Sequence, residues 1–391
     1  MIYIERRLEK EIRRTLERKK SVLLFGARQT GKTTMMNRFR FDLSISLAQL
    51  KVRLKYEQNP QLLMAEVEKT YKKLNRIVIV LIDEVQKVPI LLDAVQDLID
   101  RQIGIFILTG SSARKLRRGP SVNLLPGRVV AFHLDPLTYQ EYADIELENR
   151  LLYGALPGIV LGETKPNREE DLYSYVTTYL EEEVRAEAIV RNLGAFGRFL
   201  ELAASESGKI VNFSKLSQEI GVSVPTISSY YEILEDCLIA ERIEPITVSK
   251  TRKKLTRSQK YLFFDLGVRR AAAKEGLRLP REIIAHLFEQ FVGLELIRMA
   301  RFAGSGARVR FWRDPSGPEV DWVIERNGEF TPVEVKWTDI PHLSDVKNIE
   351  IFLREYKTAN VGYLVCRAER AAQMSDRVSA IPWQEIDSLI T

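Results

Sequence analysis

Residues Gly26–Thr33 read Gly-Ala-Arg-Gln-Thr-Gly-Lys-Thr, the spacing of a loop that cradles phosphate. They follow the apolar run Ser21–Phe25 and precede a helical stretch from Thr34 to Phe39, so strand, glycine loop and helix come in the required order. Gly26 and Gly31 let the backbone curl, which turns the amides of Ala27, Arg28, Gln29, Thr30, Lys32, Thr33 and Thr34 toward phosphate oxygens. Lys32 supplies a positive charge for the β- and γ-phosphates, and the Thr33 hydroxyl is a ligand for Mg²⁺. The implied cofactors are ATP and Mg²⁺.

Ile77–Ile82 is an unbroken apolar run that ends in Asp83 and Glu84. Such a run reads as a strand buried on both faces of a parallel sheet. Its acidic end then emerges at the carboxyl edge, where ligands bind in open α/β folds. Asp83 is placed to hold Mg²⁺, and Glu84 to polarise a water as general base. A third strand, Gly104–Leu108, leads into Thr109-Gly110-Ser111-Ser112, and the Ser111 hydroxyl is expected near the γ-phosphate or that water.

The order of phosphate loop, Asp-Glu strand and Leu-Thr-Gly-Ser-Ser-Ala resembles an AAA+-type ATPase. Leu125-Pro-Gly-Arg128 and the segment Leu134–Tyr142 extend the match to a widespread prokaryotic group of ATPases with an uncharacterised C-terminal domain. The resemblance implies an arginine near the nucleotide, acting in cis or on a neighbouring subunit, with Arg128 the candidate and Arg114 behind it. It also implies a homo-oligomer, with a hexameric ring the leading expectation. Around this centre, Glu5–Arg18 reads as a helix and Phe41–Leu47 as the second strand, while Asn59-Pro60 opens a further helix.

Residues 146–195 read as helical, with a turn cluster at Gly154–Gly158 and a solvated acidic run at Glu181–Glu183. Residues 196–248 look like a winged helix-turn-helix. Phe196–Ala204 is amphipathic, Ser214–Ile220 is a second helix, Gly221-Val-Ser is the turn, and Val224–Leu234 is the recognition-type helix. Thr226, Ser228 and Ser229 on that helix are candidates for facing DNA. The basic residues Lys250, Arg252, Lys253, Lys254, Arg257 and Lys260 follow, as on a wing. Neutralising six phosphates gives log K a slope of about −5 against log salt. Winged helices also serve as protein-packing modules, so this reading has a structural alternative.

The last segment carries a second chemical pattern. A helix spans His286–Arg301, and strands follow at Arg308–Trp312, Glu319–Ile324 and Thr331–Trp337, then a helix near Leu343–Tyr356 and a strand at Val361–Cys366. This order, with Asp321 and the literal Glu334-Val-Lys336, resembles the PD-(D/E)xK nuclease core, although Glu319-Val-Asp321 replaces Pro-Asp. Residues i and i+2 of a strand share a face, so Glu334 and Lys336 point together toward Asp321. Asp321 and Glu334, with Glu289 as a third carboxylate, are candidate Mg²⁺ ligands, and Lys336 can orient the bound water. An alternating strand with a surface ion pair is the plain alternative.

The formal charge of +6 on 391 residues is mild, so the placing of basic residues matters more than their total. With 45% hydrophobic and 29% charged residues the composition is that of a globular protein, and no apolar run is long enough to span a bilayer. Cys237 and Cys366 give neither a disulfide framework nor a zinc spacing, and His133, His286 and His342 make no metal pattern. The sequence therefore predicts an α/β chain in four segments. These are an AAA+-type parallel-sheet ATPase domain at 1–145, a helical connector or lid at 146–195, a winged helix with a basic wing at 196–279, and an α/β nuclease-like domain at 280–391. The expected function is cytoplasmic, Mg²⁺-dependent ATP hydrolysis coupled to binding and remodelling of DNA, with branched or junction DNA favoured by analogy. Two other readings stand beside it: a nucleotide-dependent switch or defence component with an inert last domain, and a sequence-specific DNA-binding regulator.

Overall fold

The computed structural model describes residues 3–112, 125, 127–162, 164–180, 192–247, 255–256, 258–304, 306–314 and 317–390. The chain divides into two compact units. The first holds residues 1–137 with the short stretches 156–158 and 236–239, and the second holds the rest. The connector, the helix–hairpin region and the C-terminal sheet thus belong to one unit.

The first unit is built on five parallel strands: β1 (Ser21–Phe25), β2 (Leu43–Ser46), β3 (Val78–Asp83), β4 (Gly104–Gly110) and β5 (Val129–His133), in the order β2-β3-β4-β1-β5. β1 and β4 are buried along their whole length, which is why they read as continuous apolar runs. Successive side chains leave on opposite faces. Leu23, Phe25, Phe106 and Leu108 pack under the helices Gln61–Leu74 and Leu91–Asp100. Val22, Leu24 and Ile107 pack with Leu8 and Ile12 of the helix Leu8–Glu17 and with Met35 and Met36 of the helix Lys32–Met36. Pro60 sits at the N-cap of Gln61–Leu74, where its missing N–H costs nothing.

In the second unit, helices Leu193–Ser205, Phe213–Ile220 and Val224–Asp236 precede the antiparallel hairpin of β6 (Ala240–Ile243) and β7 (Lys260–Phe263). The Asn212 side chain caps Phe213–Ile220 by accepting from the Lys215 amide. Gly221 ends that helix in the left-handed conformation. Packed rings join the helices to the hairpin: Phe199 meets Tyr231 edge to face at 5.0 Å, and Tyr231 stacks on Tyr261 at 4.1 Å between centroids.

The rest of the unit is a six-stranded mixed sheet in the order β12-β13-β11-β10-β9-β8. Its strands are β8 (Arg308–Arg313), β9 (Glu319–Arg326), β10 (Glu329–Val335), β11 (Gly362–Cys366), β12 (Ala372–Ser375) and β13 (Val378–Pro382). The 23-residue helix Arg281–Ala303 covers one face, with Phe288, Phe291 and Val292 against Trp322, Val333 and Val365. Gly293 makes this close, because a Cβ there would lie 2.5 Å from the Trp322 ring. The helix Lys347–Glu355 covers the other face through Ile349 and Phe352 against Trp312, Val323 and Leu364. The chain after β6 runs beside β8, pairing Pro245 with Phe311, and so covers that edge.

The long helix also buries charge. Arg298 donates to Glu295 at 2.9 Å and to the Phe264 carbonyl at 2.8 Å, and Glu295 accepts from the Tyr139 amide at 3.0 Å. Glu295 is 1% exposed, so every charge there depends on its partner. Glu295→Ala leaves Arg298 buried and uncompensated. It should cost about 3–5 kcal/mol in the unfolding transition of the second unit, measured by denaturant titration.

Candidate functional site

The carboxyl ends of β1, β4 and β3 meet at one sheet edge. Phe25 is level with Gly110, and Ile82 with Leu108, so the phosphate loop after Phe25, the Thr109–Ser111 tip and the Asp83-Glu84 pair lie side by side. Strands stand ~4.8 Å apart, so about 10 Å separates the loop strand from the acid strand.

The loop is shaped by its two glycines. Gly31 has φ +94°, and a Cβ on Gly26 would lie 2.6 Å from the Leu134 carbonyl oxygen. Lys32 is buried and donates to the carbonyls of Gly26 at 2.7 Å and Ala27 at 2.9 Å, so its ammonium sits inside the loop. Thr30 is fully buried and closes the turn onto Ala27 at 2.9 Å, while Thr33 and Thr34 are exposed at the start of the helix. Arg28 is half-buried and Gln29 exposed, the latter with φ +61°. Arg6 straps the loop from outside, donating to the Thr30 carbonyl at 2.8 Å and the Asp135 carbonyl at 2.6 Å.

Asp83 accepts from the Thr109 hydroxyl and, at 3.4 Å, from the Ser46 hydroxyl. Glu84 follows in a left-handed conformation, φ +59° and ψ +45°, which is uncommon for a residue with a side chain. Its carboxylate accepts from Ser111 at 3.0 Å and from Gln86 at 2.5 Å, and Gln86 also donates to Ser111 at 3.1 Å. The backbone turn and these two donors fix where Glu84 points. The site thus offers oxygen donors at Thr33 and Asp83, a cation at Lys32 and a loop of amides. That set fits a nucleoside triphosphate with Mg²⁺.

Sequence reasoning brought Lys32, Asp83, Glu84 and Ser111 to this edge but passed over Arg6, Ser46 and Gln86, and it quoted Thr109 without a role. Only Gln86 had a local cue, its place two residues after Glu84. Arg128 lies elsewhere. It precedes β5 at the amino edge, about 15 Å along the sheet from the loop. There it makes a bidentate pair with Asp100, at 2.6 and 2.9 Å. Arg114 and the acidic run Glu181–Glu183 lie outside the described residues.

In the six-stranded sheet, the pairing of Val333 with Trp322 puts Glu334 opposite Asp321. Asp321 accepts from the Val335 amide at 2.9 Å, and Lys336 pairs with Glu334 at 2.7 Å, as the shared strand face requires. Burial, then the charges of Glu334 and Glu289, push the Asp321 carboxyl well above its ordinary range. Burial also raises Glu334, against the pull of Lys336. Glu289 behaves oppositely: burial raises it, but Lys260 and His286 outweigh that and hold it at about 2. Among the described residues, the oxygens of Asp321, Glu334 and Glu289 do not all lie within 4.8 Å of one another. Glu334 Oε2, one of the described buried atoms, has no hydrogen-bond partner. One orphaned oxygen is compatible with a cation, but the third carboxylate is engaged elsewhere.

On the helix Val224–Asp236, Ser229 is exposed, while Thr226 and Ser228 are half-buried. Thr226 faces Ser223 at 2.8 Å, at the start of the helix. Lys250, Arg252, Lys253, Lys254 and Arg257 lie outside the described residues. Lys260, the one residue of that basic run that is described, does not lie on an open wing. It is 8% exposed and pairs with Glu289 at 3.3 Å, so its ammonium cannot also meet a phosphate. Trp312 and Trp322 are fully buried in the sheet's two cores. Cys237 and Cys366 are buried and form no disulfide, and no described helix is long and apolar enough to cross a membrane.

Residues 18–143 match a family model described as an AAA domain. Residues 144–279 and 285–386 match two domains of unknown function. The parallel sheet and the first match together give the first unit a P-loop ATPase fold of AAA type. An uncharacterised protein of Mycobacterium tuberculosis is 25% identical over 98% of this chain and 85% of its own length. Another from Methanocaldococcus jannaschii is 24% identical over 74% of this chain and 70% of its own. Two solved structures align loosely. The Aeropyrum pernix Orc1 protein in complex with DNA shows 17% identity and a TM-score of 0.27, covering 69% of this chain and 93% of that one. Cdc6p from Pyrobaculum aerophilum shows 13% identity and a TM-score of 0.28, covering 71% and 97%. These superpositions are too loose to carry an argument.

The raised carboxyl of Asp321 sets a test. Its folded pKa lies above its ordinary 3.8, so the charged form opposes folding, and the penalty grows as pH rises above that value. Asp321→Asn keeps the shape and can still accept from Val335. It should stabilise the second unit at neutral pH, with the gain over the natural protein closing as pH falls toward 3.8, read from thermal unfolding across a pH series.

Proposed function

We propose that this chain is a Mg²⁺-dependent ATP hydrolase of AAA+ type that binds and remodels DNA, with branched or junction DNA as the preferred class. The observation that carries the reading is the shared sheet edge, where Lys32 sits in the loop while Ser111 and Gln86 aim Glu84. The loop amides and Lys32 bind the phosphates. Glu84 takes a proton from the attacking water, whose approach Ser111 helps to align. Mg²⁺, held by Thr33 and Asp83, would neutralise charge developing on the phosphates. Arg128 cannot serve this chain's own nucleotide from the far edge, so its proposed role is on a neighbouring subunit's site, in a ring for which a hexamer is the working stoichiometry.

The DNA part of the proposal rests on the second unit. Three helices followed by an antiparallel hairpin support the winged-helix reading, with Thr226, Ser228 and Ser229 on the outer helix. A mixed sheet carrying Asp321 beside Glu334 and Lys336, under a helix with Glu289, supports the nuclease-like reading. A second reading, a nucleotide switch with an inert last domain, is favoured by one observation: Glu334 of that sheet and Glu289 of the helix above it are already paired with lysines.

ATP turnover measured with Mg²⁺ alone, and then with single-stranded, duplex and four-way-junction DNA, tests the proposal. Stimulation by junction DNA is expected, and no stimulation by any DNA moves the weight to the switch. Lys32→Ala should lower turnover roughly 10²–10³-fold. Glu84→Gln should keep nucleotide bound while slowing hydrolysis, and normal hydrolysis by that variant would remove its role as base. If Lys250, Arg252, Lys253, Lys254 and Arg257 neutralise phosphates, log K for DNA should fall with log salt at a slope of about −4.5. A near-zero slope would exclude that surface.

A further inference from the structure

Lys260 is not placed like a surface lysine. It opens β7, where its backbone pairs with Ile243 on one side and bridges to Ile210 on the other, so the Cα is pinned. Its side chain runs inward, with the ammonium 5.0 Å from the Phe311 ring and 5.2 Å from the Trp322 ring, over faces that favour a cation. It ends 3.3 Å from Glu289 Oε1. His286, one turn before Glu289, lies 3.6 Å from its other oxygen. Lys336 closes the opposite side at 2.7 Å from Glu334 Oε1.

The charge count follows from these contacts. Three carboxyl groups, Asp321, Glu334 and Glu289, face two ammonium groups, and Asp321 lies within electrostatic reach of both lysines. A divalent ion entering between Asp321 and Glu334 would meet Lys336, which is half-exposed and can turn aside, and Lys260, which cannot leave because it is buried on a pinned strand. It would also find Glu289 taken. Mg²⁺ keeps much of its shell as water and is usually held by one or two carboxylates; with Glu289 engaged by Lys260, only Asp321 and Glu334 remain to hold it, and Lys336 already occupies one Glu334 oxygen. The orphaned Glu334 Oε2 is a single oxygen, short of a coordination set.

We propose that Lys260, delivered by the hairpin, takes the cation's place beside Glu289, so that the acid cluster of the C-terminal sheet is a metal-free site that does not cut nucleic acid. Two regions that read as separate modules in the sequence are then joined at the acid cluster by this ion pair, alongside Arg301 with Glu241 and Arg310 with Glu244. That the site does not cut rests on the nuclease-like reading of this sheet; the exclusion of the ion stands on the contacts alone.

The test is Tb³⁺ and Mn²⁺ binding to the full-length protein, read by Tb³⁺ luminescence sensitised by the nearby tryptophans. The natural protein and Asp321→Asn should bind indistinguishably. Lys260→Met should gain a site at least about tenfold tighter, since removing one fixed like charge near a divalent ion changes its energy by more than 1 kcal/mol. Adding Asp321→Asn to Lys260→Met should abolish that site. If the natural protein binds either ion at least tenfold more tightly than Asp321→Asn does, the proposal fails. It fails equally if the natural protein cleaves DNA with Mg²⁺ or Mn²⁺ and Asp321→Ala and Glu334→Ala do not. If Lys260→Met does not fold, the comparison of natural protein with Asp321→Asn still decides. DNA-stimulated ATP turnover is scored separately, so loss of the DNA reading and loss of the metal-free site give different results.

Discussion

Parallel strands place all their carboxyl ends on one edge, and the nucleotide site depends on that constraint. The sheet order sets β4 between the phosphate-loop strand and the acid strand. Without β4 the loop and the carboxylates would be neighbours with no room for phosphates. With it, the Thr109–Ser111 tip supplies hydroxyls to both acids. Burial on both faces holds the register, since a slip of one residue would turn Leu23 and Phe25 out of one core and Val22 and Leu24 out of the other.

Strain and close approach gather at that edge. Glu84 sits at positive φ without being glycine, a conformation that costs free energy and persists only because its surroundings over-determine it. Hydrogen bonds from Gln86 and Ser111 do so, and the backbone amide of Glu84 donates to Thr109 at 3.2 Å. The carboxylate is therefore aimed by backbone and side chains together, which is the positional precision that the base role proposed for Glu84 requires.

The second unit obeys a different rule: a buried charge must have a partner. Arg298 pairs with Glu295 within the long helix and Lys336 with Glu334 at one strand end, while Lys260 with Glu289 ties β7 to that helix. The helix Arg281–Ala303 supplies two of these acids, so it is both the lid of the sheet and the anchor of the connector and hairpin. Its hydrophobic face alone would not discriminate among those neighbours.

Local chemistry made the first site legible in advance. A glycine loop needs its lysine and hydroxyl at fixed spacing, and a doubly buried strand must be apolar until its acidic tip, so Gly26–Thr33 and Ile77–Glu84 declared themselves. The core of the last sheet was equally readable, down to Glu334 and Lys336 on one face. β12, β13 and the closing turn Trp383–Leu389 were not, because four- and five-residue strands give too little alternation to register. What no local pattern holds is where a long charged side chain ends up. Arg128 stood beside the loop motifs in the sequence and lies at the opposite edge of the sheet from the phosphate loop, paired with Asp100. Lys260 stood in a basic run and is buried among acids from another segment. The amino-acid sequence determined the loop, the strands and the chemistry at their tips, since these follow from spacing. Only the tertiary structure decided which charges neutralise one another, because Coulomb's law acts through space and the chain order does not specify it.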